Sequence, residues 1–534
     1  MNDFINETEQ TLAEIWRQLL SIYPTGSSNF FASGGNSLLL IRLSIFIHEQ
    51  IETEVDVSGL LQNPVFSDMV IYINSKKNKL ASQYSPKYRY DGNPIPLSYA
   101  QKDIWNQSVL SGFSGNYNMP FSFHIFGDLA LPEFNLAVSK LMERHRIFSS
   151  NISLSEMGEP LIQSGIHHIP LQFHDLSILP DRDKELRLSE LEENEFNRVI
   201  NILNSPLSYI MLVKISEKEY YFYLTIHHMI FDGVSCDIFL NELMSIYENK
   251  RLNKINVDFF DYACWENSRE YHEGLNQGLT YWVQRLNDYK PLELPFLNAD
   301  SSDRTSGFIS QQVPIKHLQA LNTFARSHNT TLFVVFSLAL QMALGRARTG
   351  GDIIFGAYTS HRLYSDFANA LGNFINPVVL KCDFNINQSL SDVLSETHQQ
   401  ITQDFSWQHV PFESIVNEMN VKRKSDSHPF FNVSLVFNEN ILKQEYLPGA
   451  LRIKLESKME HNIVFAFDTD IEFIVHSNQS GLFIGAVYIK NKVGDGLIKF
   501  ILDTLSSLLS IFPDIDPTKA LSSVPLHDEK SSDS

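Results

Sequence analysis

Over the first 80 residues the apolar positions recur at helical spacing. Leu12, Ile15, Trp16, Leu19 and Leu20 form one apolar stripe and predict an amphipathic first helix. The turn-rich stretch Tyr23-Pro24-Thr25-Gly26-Ser27-Ser28 follows, and Gly34-Gly35 marks a second break. A second helix is predicted from Ser37 to about His48, on the run Leu38-Leu39-Leu40-Ile41-Arg42-Leu43. A third begins after Pro64 and carries Phe66, Met69, Val70 and Ile73. Ser75 to Pro94 has no period and reads as a linker.

From about residue 95 to 525 strand-like and helical patterns alternate. Val213 to Asp232 reads as strand, Ser235 to Glu248 as helix, Thr331 to Leu344 as a buried helix, and Asp352 to Tyr358 as strand. About 430 residues exceed one ordinary core, so two lobes are predicted, with a break near 266–276 where polar residues cluster. The expected division is a small helical unit at 1–80, a linker at 81–95, a first lobe at 96–270, a second lobe at 271–525 and a tail at 526–534.

Composition narrows the function classes. Of 534 residues, 43% are hydrophobic and 19% charged, a globular balance. The net charge of −20 argues against a duplex-binding protein or a binder of anionic membranes, either of which needs a basic surface. Residues 1–80 hold 9 acidic and 5 basic groups and residues 96–534 hold 52 and 35, so neither part is a nucleic-acid module. Cys236, Cys264 and Cys382 are too few and too far apart for a disulfide framework or a zinc cluster. The acidic start, Met1 to Glu7, is unlike a signal peptide, and the apolar run Leu332 to Leu344 is too short to span a bilayer. A soluble, reduced, cytoplasmic chain is expected, a monomer without metal.

Two places carry chemistry. In Asn29-Phe30-Phe31-Ala32-Ser33-Gly34-Gly35-Asn36-Ser37-Leu38 a serine stands at the mouth of a helix behind two glycines, which permit a sharp, close-approach turn. First-turn amides and the helix dipole there favour a phosphate on Ser37, although a plain N-cap is the commoner use of such a serine. In Tyr220-Tyr221-Phe222-Tyr223-Leu224-Thr225-Ile226-His227-His228, period two places His228 on one face with Phe222, Leu224 and Ile226, and His227 on the other. Asp232-Gly233 then breaks the strand, and Ser235 or Asp237 can cap the next helix. A histidine at a strand end facing a helix N-terminus suits proton transfer at neutral pH, while two satisfied core histidines remain the plain alternative. Adjacent strand histidines point to opposite faces, which disfavours a metal site.

The longer strings resemble known families. Residues 8–76 closely resemble the carrier proteins of nonribosomal peptide synthetases, whose 4′-phosphopantetheine attachment serine matches Ser37. His227-His228-Met229-Ile230-Phe231-Asp232-Gly233 resembles the signature of the condensation domains of those synthetases, relatives of chloramphenicol acetyltransferase. Further matches come in the expected order: Ser98 to Trp105, Tyr117-Asn118-Met119-Pro120, Arg144-His145, Asp261 to Trp265, Leu371 to Asn376 and Gln408 to Glu413. Departures are Asp103 in place of a usual arginine, a divergent Arg146 to Ser150, Val234 for a frequent tryptophan and Trp407 for a common histidine.

The resemblance implies a small all-α carrier bundle followed by a two-lobed, V-shaped α/β domain of the chloramphenicol acetyltransferase type. It implies an amide-bond-forming acyltransferase of antibiotic or secondary-metabolite biosynthesis. A donor acyl or peptidyl thioester on the phosphopantetheine of Ser37 is joined to the amine of an acceptor on a downstream carrier. Implied partners are that acceptor carrier, an upstream adenylation, loading or elongation module, and a phosphopantetheinyl transferase. His228 is implied as the reacting histidine and His227 as a holder of the loop. Asp232 is implied as a structural salt-bridge partner, with Arg362 the candidate cation, and Gly233 as a possible oxyanion donor. Rival readings are an epimerization-type domain, for which no Gly-His-Gly stretch is present, a stand-alone acyltransferase, and an inactive docking scaffold. A heterocyclization domain would carry aspartate in place of His227.

Overall fold

In the computed structural model Trp16 organises the N-terminal unit. Its indole meets Phe30 edge-on at 5.2 Å and Phe66 at 5.5 Å, and all three side chains are buried. Four helices close around this cluster: α1 (Glu7–Leu20), α2 (Ser37–Ile51), α3 (Val57–Gln62) and α4 (Phe66–Lys77). The sequence pattern anticipates α1, α2 and α4. It misses α3, whose six residues are too few to display a period. The structure describes residues 6–523 apart from 21, 32, 36, 54, 56, 78–93, 111–116, 166–168, 204–205, 297–304, 363, 383–384, 422–427, 439–444, 447–450, 456–468 and 479. The linker expected at 81–95 and the tail expected at 526–534 thus fall almost wholly or wholly outside the described residues.

Two six-stranded sheets carry the two lobes. The first runs in the order Glu445–Tyr446, Arg452–Leu455, Asn118–Phe126, Glu219–His227, Ser208–Ser216, Leu171–Asp175. Its central strand, Glu219–His227, is rich in aromatic and β-branched residues and buried over its last six positions, as a strand covered on both faces requires. The continuous strand expected over Val213 to Asp232 is instead a hairpin. Ser208–Ser216 and Glu219–His227 pair antiparallel with a bulge at Lys214/Ser216, and the turn at Glu217-Lys218 lacks the glycine or proline that would announce it.

The second sheet runs Ile375–Lys381, Ile354–Ser360, Val433–Asn438, Ile471–Asn478, Gly481–Ile489, Ser306–Pro314. Val433–Asn438 lies parallel to both of its neighbours. The helix Leu332–Ala347 is buried nearly all round, as its unbroken apolar run requires, and Thr331 caps it through the Val334 amide. Asp495–Asp514 is long and apolar enough to cross a membrane by length and composition. Here Ile498, Ile501, Leu502, Leu505, Leu508 and Leu509 are buried, and Gln311 of the outer strand donates to Asp503 at 2.6 Å.

Two features join the lobes. The polar stretch 266–276, expected as a break, is helical. Phe259–Glu266, Arg269–Gly274 and Asn276–Arg285 follow one another, anchored by buried Trp265, Tyr271 and Trp282. Farther along, Arg452–Leu455 leaves the second half of the chain and pairs antiparallel with Asn118–Phe126 of the first sheet.

Candidate functional site

The strand Glu219–His227 ends in register with Asn118, and the backbone turns at once into the 3₁₀ segment His228–Ile230. His228 therefore leaves the ladder, and period two does not assign its face. Its N–H donates to the Tyr117 carbonyl at 2.7 Å. Helix α5 (Tyr99–Leu110) braces the turn: Gln101 Nε2 donates to the Met229 carbonyl at 2.9 Å.

The two histidines are held in opposite tautomers. His228 Nδ1 lies 2.6 Å from the Phe231 carbonyl, which only accepts, so Nδ1 carries the proton and Nε2 the lone pair. His227 Nδ1 accepts from the Met229 N–H at 3.2 Å, so its lone pair is spent inside the turn and its proton sits on Nε2. Both rings are buried. Burial, with the neighbouring imidazole, lowers the His227 pKa to about 3. Burial also lowers that of His228, opposed by the Phe231 carbonyl and the Asp232 charge. The pair is neutral at physiological pH, and only His228 offers a basic nitrogen.

Asp232 lies at the junction of the lobes. It caps the helix Gly233–Tyr247 itself, accepting from the Ser235 N–H at 2.8 Å, so neither Ser235 nor Asp237 is the cap. Arg362, just beyond the strand Ile354–Ser360 of the second sheet, donates to both carboxylate oxygens, at 2.5 and 3.0 Å. The Phe374 N–H adds a third contact at 3.1 Å. Both side chains of the ion pair are 2% exposed. Burial alone would raise the Asp232 pKa; the guanidinium and the two backbone amides outweigh it and hold the carboxyl below its usual range. Arg362 also donates to Ser235 Oγ at 2.8 Å and the Ala370 carbonyl at 3.1 Å, and lies 4.1 Å over the Phe374 ring. Ser235 Oγ in turn donates to the Gly372 carbonyl at 2.9 Å and accepts from its N–H at 3.1 Å. Gly372 is required there, because a Cβ would stand 2.0 Å from the Phe259 ring.

A second buried network escaped the sequence reading. Glu266 accepts from the Tyr262 hydroxyl at 2.5 Å and from the Tyr99 N–H at 2.9 Å. His361, beside Arg362, lies 3.2 Å from Glu266 and 2.7 Å from the Tyr262 hydroxyl, and its other nitrogen meets the His409 carbonyl at 2.9 Å. The one available signal was a carboxylate, Glu266, directly behind buried Trp265. Of the departures, Asp103 lines a cavity of about 30 Å³ with Tyr99, Asn373, Asn376 and Glu413. Trp407 stacks on Tyr281 at 5.8 Å.

The other candidate residue stands apart from the histidines in sequence. Ser37 opens α2, fifteen residues long, directly after the glycine turn. Gly34 holds φ 101°, in the left-handed region, and a Cβ on Gly35 would stand 2.3 Å from the Phe30 ring. The turn thus takes a path closed to larger residues and delivers position 37 to a helix N-terminus, which suits a phosphate. Among the described residues no group of three or more histidine, cysteine, aspartate or glutamate side chains is placed to hold a metal ion.

Two family models match the chain. Residues 92–525 match the family model of the condensation domain, and residues 10–73 that of the phosphopantetheine attachment site. The chain is 26% identical to tyrocidine synthase 3 of Brevibacillus parabrevis over 492 residues, covering 90% of the chain and 7% of that protein. It is 27% identical to bacitracin synthase 1 of Bacillus licheniformis over 451 residues, covering 82% of the chain and 8% of that protein. The chain thus spans less than a tenth of the length of these relatives. Among solved structures, the X-domain from teicoplanin biosynthesis superposes with a TM-score of 0.70 at 19% identity, covering 83% of this chain and 100% of that one. A holo four-domain nonribosomal peptide synthetase bound to AMP and glycine superposes at 0.68 and 17%, covering 84% and 34%. At these identities the structural likeness speaks for the two-lobed fold.

Proposed function

The chain belongs to the condensation-domain family, and from that membership we propose that it forms an amide bond between a donor acyl or peptidyl thioester on Ser37 and the amine of an acceptor on a second, downstream carrier. The observation that carries the reading is the pair of opposite tautomers, which leaves His228 Nε2 as the basic nitrogen of the site.

His228 Nε2 accepts the proton that the amine sheds as the C–N bond forms, and returns it to the sulfur that leaves as the donor's C–S bond breaks. An α-amino group titrates at roughly 7.7–8, so much of it is already neutral near physiological pH, and a positioned base contributes on the order of 10²–10⁴-fold. Alignment of two tethered substrates supplies much of the rest. His227 ties the turn down through Met229. Asp232 is no proton carrier: both of its oxygens are engaged by Arg362, and it fixes the loop between strand and helix. The Gly233 N–H, in the first turn of the helix that Asp232 caps, is the donor for the oxygen that gains charge as the carbonyl is attacked. Bound to Ser37, the 4′-phosphopantetheine arm supplies the thioester that activates the donor carbonyl. Ser37 and the first-turn amides of α2 hold the phosphate end of that arm.

The partners that follow are an upstream adenylation, loading or elongation module, a phosphopantetheinyl transferase and the acceptor carrier. The test begins with intact mass after incubation with coenzyme A and a promiscuous phosphopantetheinyl transferase, with Ser37→Ala as control. A gain of one arm, lost in the control, is expected. Donor-loaded chain is then offered an acceptor carrier, and amide product that appears with wild type and fails with His228→Ala completes the reading. Product undiminished in His228→Ala would remove the histidine from the chemistry.

A further inference from the structure

Three contacts seat the N-terminal unit on the second lobe. Helix α3 packs against the helix Leu390–Ser406, and α2 against the short turn Ser365–Phe367. The buried ring of Phe31 meets His398 edge-on, 6.2 Å between centroids. His398 is itself held from within the second lobe, with Nδ1 2.9 Å from the Thr330 hydroxyl.

This seating sets the attachment turn beside one guanidinium. Arg326, near the end of the helix Ile315–Ser327, brings a terminal nitrogen to 3.5 Å from where a Gly34 Cβ would stand. Arg326 is exposed, and its side chain has no hydrogen-bond or ion-pair partner among the described residues. An arginine reaching over Gly34, three residues before Ser37, brings a positive charge to the attachment turn, where a phosphodiester on Ser37 adds a negative one. The planar fork of a guanidinium matches phosphate oxygens in pairs.

We propose that Arg326 is the positioning residue for the arm, gripping the phosphodiester on Ser37 so that the N-terminal unit rests on the second lobe in its delivery pose. The proposal rests on the reading of Ser37 as the attachment site. In this pose α2 abuts Ser365–Phe367, which begins three residues after Arg362 in the chain; Arg362 holds Asp232 and with it the His228 loop.

The experiment uses the full chain, loaded from coenzyme A by a phosphopantetheinyl transferase, as wild type, Arg326→Ala and Arg326→Lys. Intact mass reports loading, and the apo chains are compared by thermal unfolding, where an exposed side chain leaves the midpoint unchanged. The ³¹P resonance of the phosphodiester is expected to stand away from its position in the urea-unfolded loaded chain. Arg326→Ala moves it back and narrows it, and Arg326→Lys falls between. Single-turnover transfer of a loaded donor drops about tenfold in Arg326→Ala, the size of a bidentate charge-assisted contact discounted for its exposure. A resonance identical in wild type and Arg326→Ala overturns the anchor, and unchanged transfer overturns its part in delivery. A wild-type chain that gains no mass removes the Ser37 reading instead, and the anchor falls with it.

Discussion

Arg362 holds Asp232 through both carboxylate oxygens across a gap of 130 residues in the chain. One buried ion pair thus ties the loop after His228, on the first sheet, to the end of a strand in the second.

Removing one partner of such a pair strands a buried charge. Arg362→Ala is expected to cost about 3–5 kcal/mol of stability. Arg362→Lys keeps the charge but loses the two-pronged contact and the stacking on Phe374. Denaturant unfolding together with the rate of amide formation checks both, and Arg362→Lys should recover stability more fully than rate.

His228→Ala should slow amide formation on the order of 10²–10⁴-fold. The pH profile separates this histidine from the substrate. One limb follows the acceptor amine near roughly 7.7–8, and a second, from His228, lies below the ordinary imidazole value of about 6.5, because burial lowers its pKa. His228→Ala should keep the amine limb and lose the acid one. A wild-type profile without the acid limb would contradict the assignment.

Glu472 predicts how stability responds to pH. It lies on Ile471–Asn478, buried, with the Ser434 hydroxyl 3.4 Å away, and burial raises its pKa from 4.5 to about 7. The folded state therefore holds a proton that the unfolded chain releases. The contribution is complete below pH 4.5 and is lost as pH rises through about 7, roughly 3 kcal/mol in all. Unfolding midpoints in denaturant should fall between pH 5 and 8 in wild type and fall less in Glu472→Gln.

Gly372→Ala should overpack the site, since its Cβ would stand 2.0 Å from the Phe259 ring. A loss of about 1–3 kcal/mol is expected. The segment that brings the Phe374 N–H to Asp232 should shift, and backbone amide exchange at Phe374 should speed up relative to wild type.

What the sequence revealed was local. The helices of the first unit, the glycine turn before Ser37 and the histidine strand each lie within one short window, where period and composition report them. Arg362 was legible only through its place in a family-like string. Glu266, Tyr262 and His361 join across 95 and 99 residues, and no window contains them. The capping role of Asp232 was missed because Ser235, a residue type equally suited to cap, spends its hydroxyl on Gly372.

The strand Arg452–Leu455 has a consequence for how the chain is made. It covers the Phe123–Phe126 half of the edge of Asn118–Phe126, yet it emerges from the ribosome about 330 residues after Phe126. At translation rates of roughly 5–20 residues per second, the first lobe waits on the order of half a minute with that edge unpaired. During that interval the nascent lobe exposes a sheet edge open to pairing with other chains.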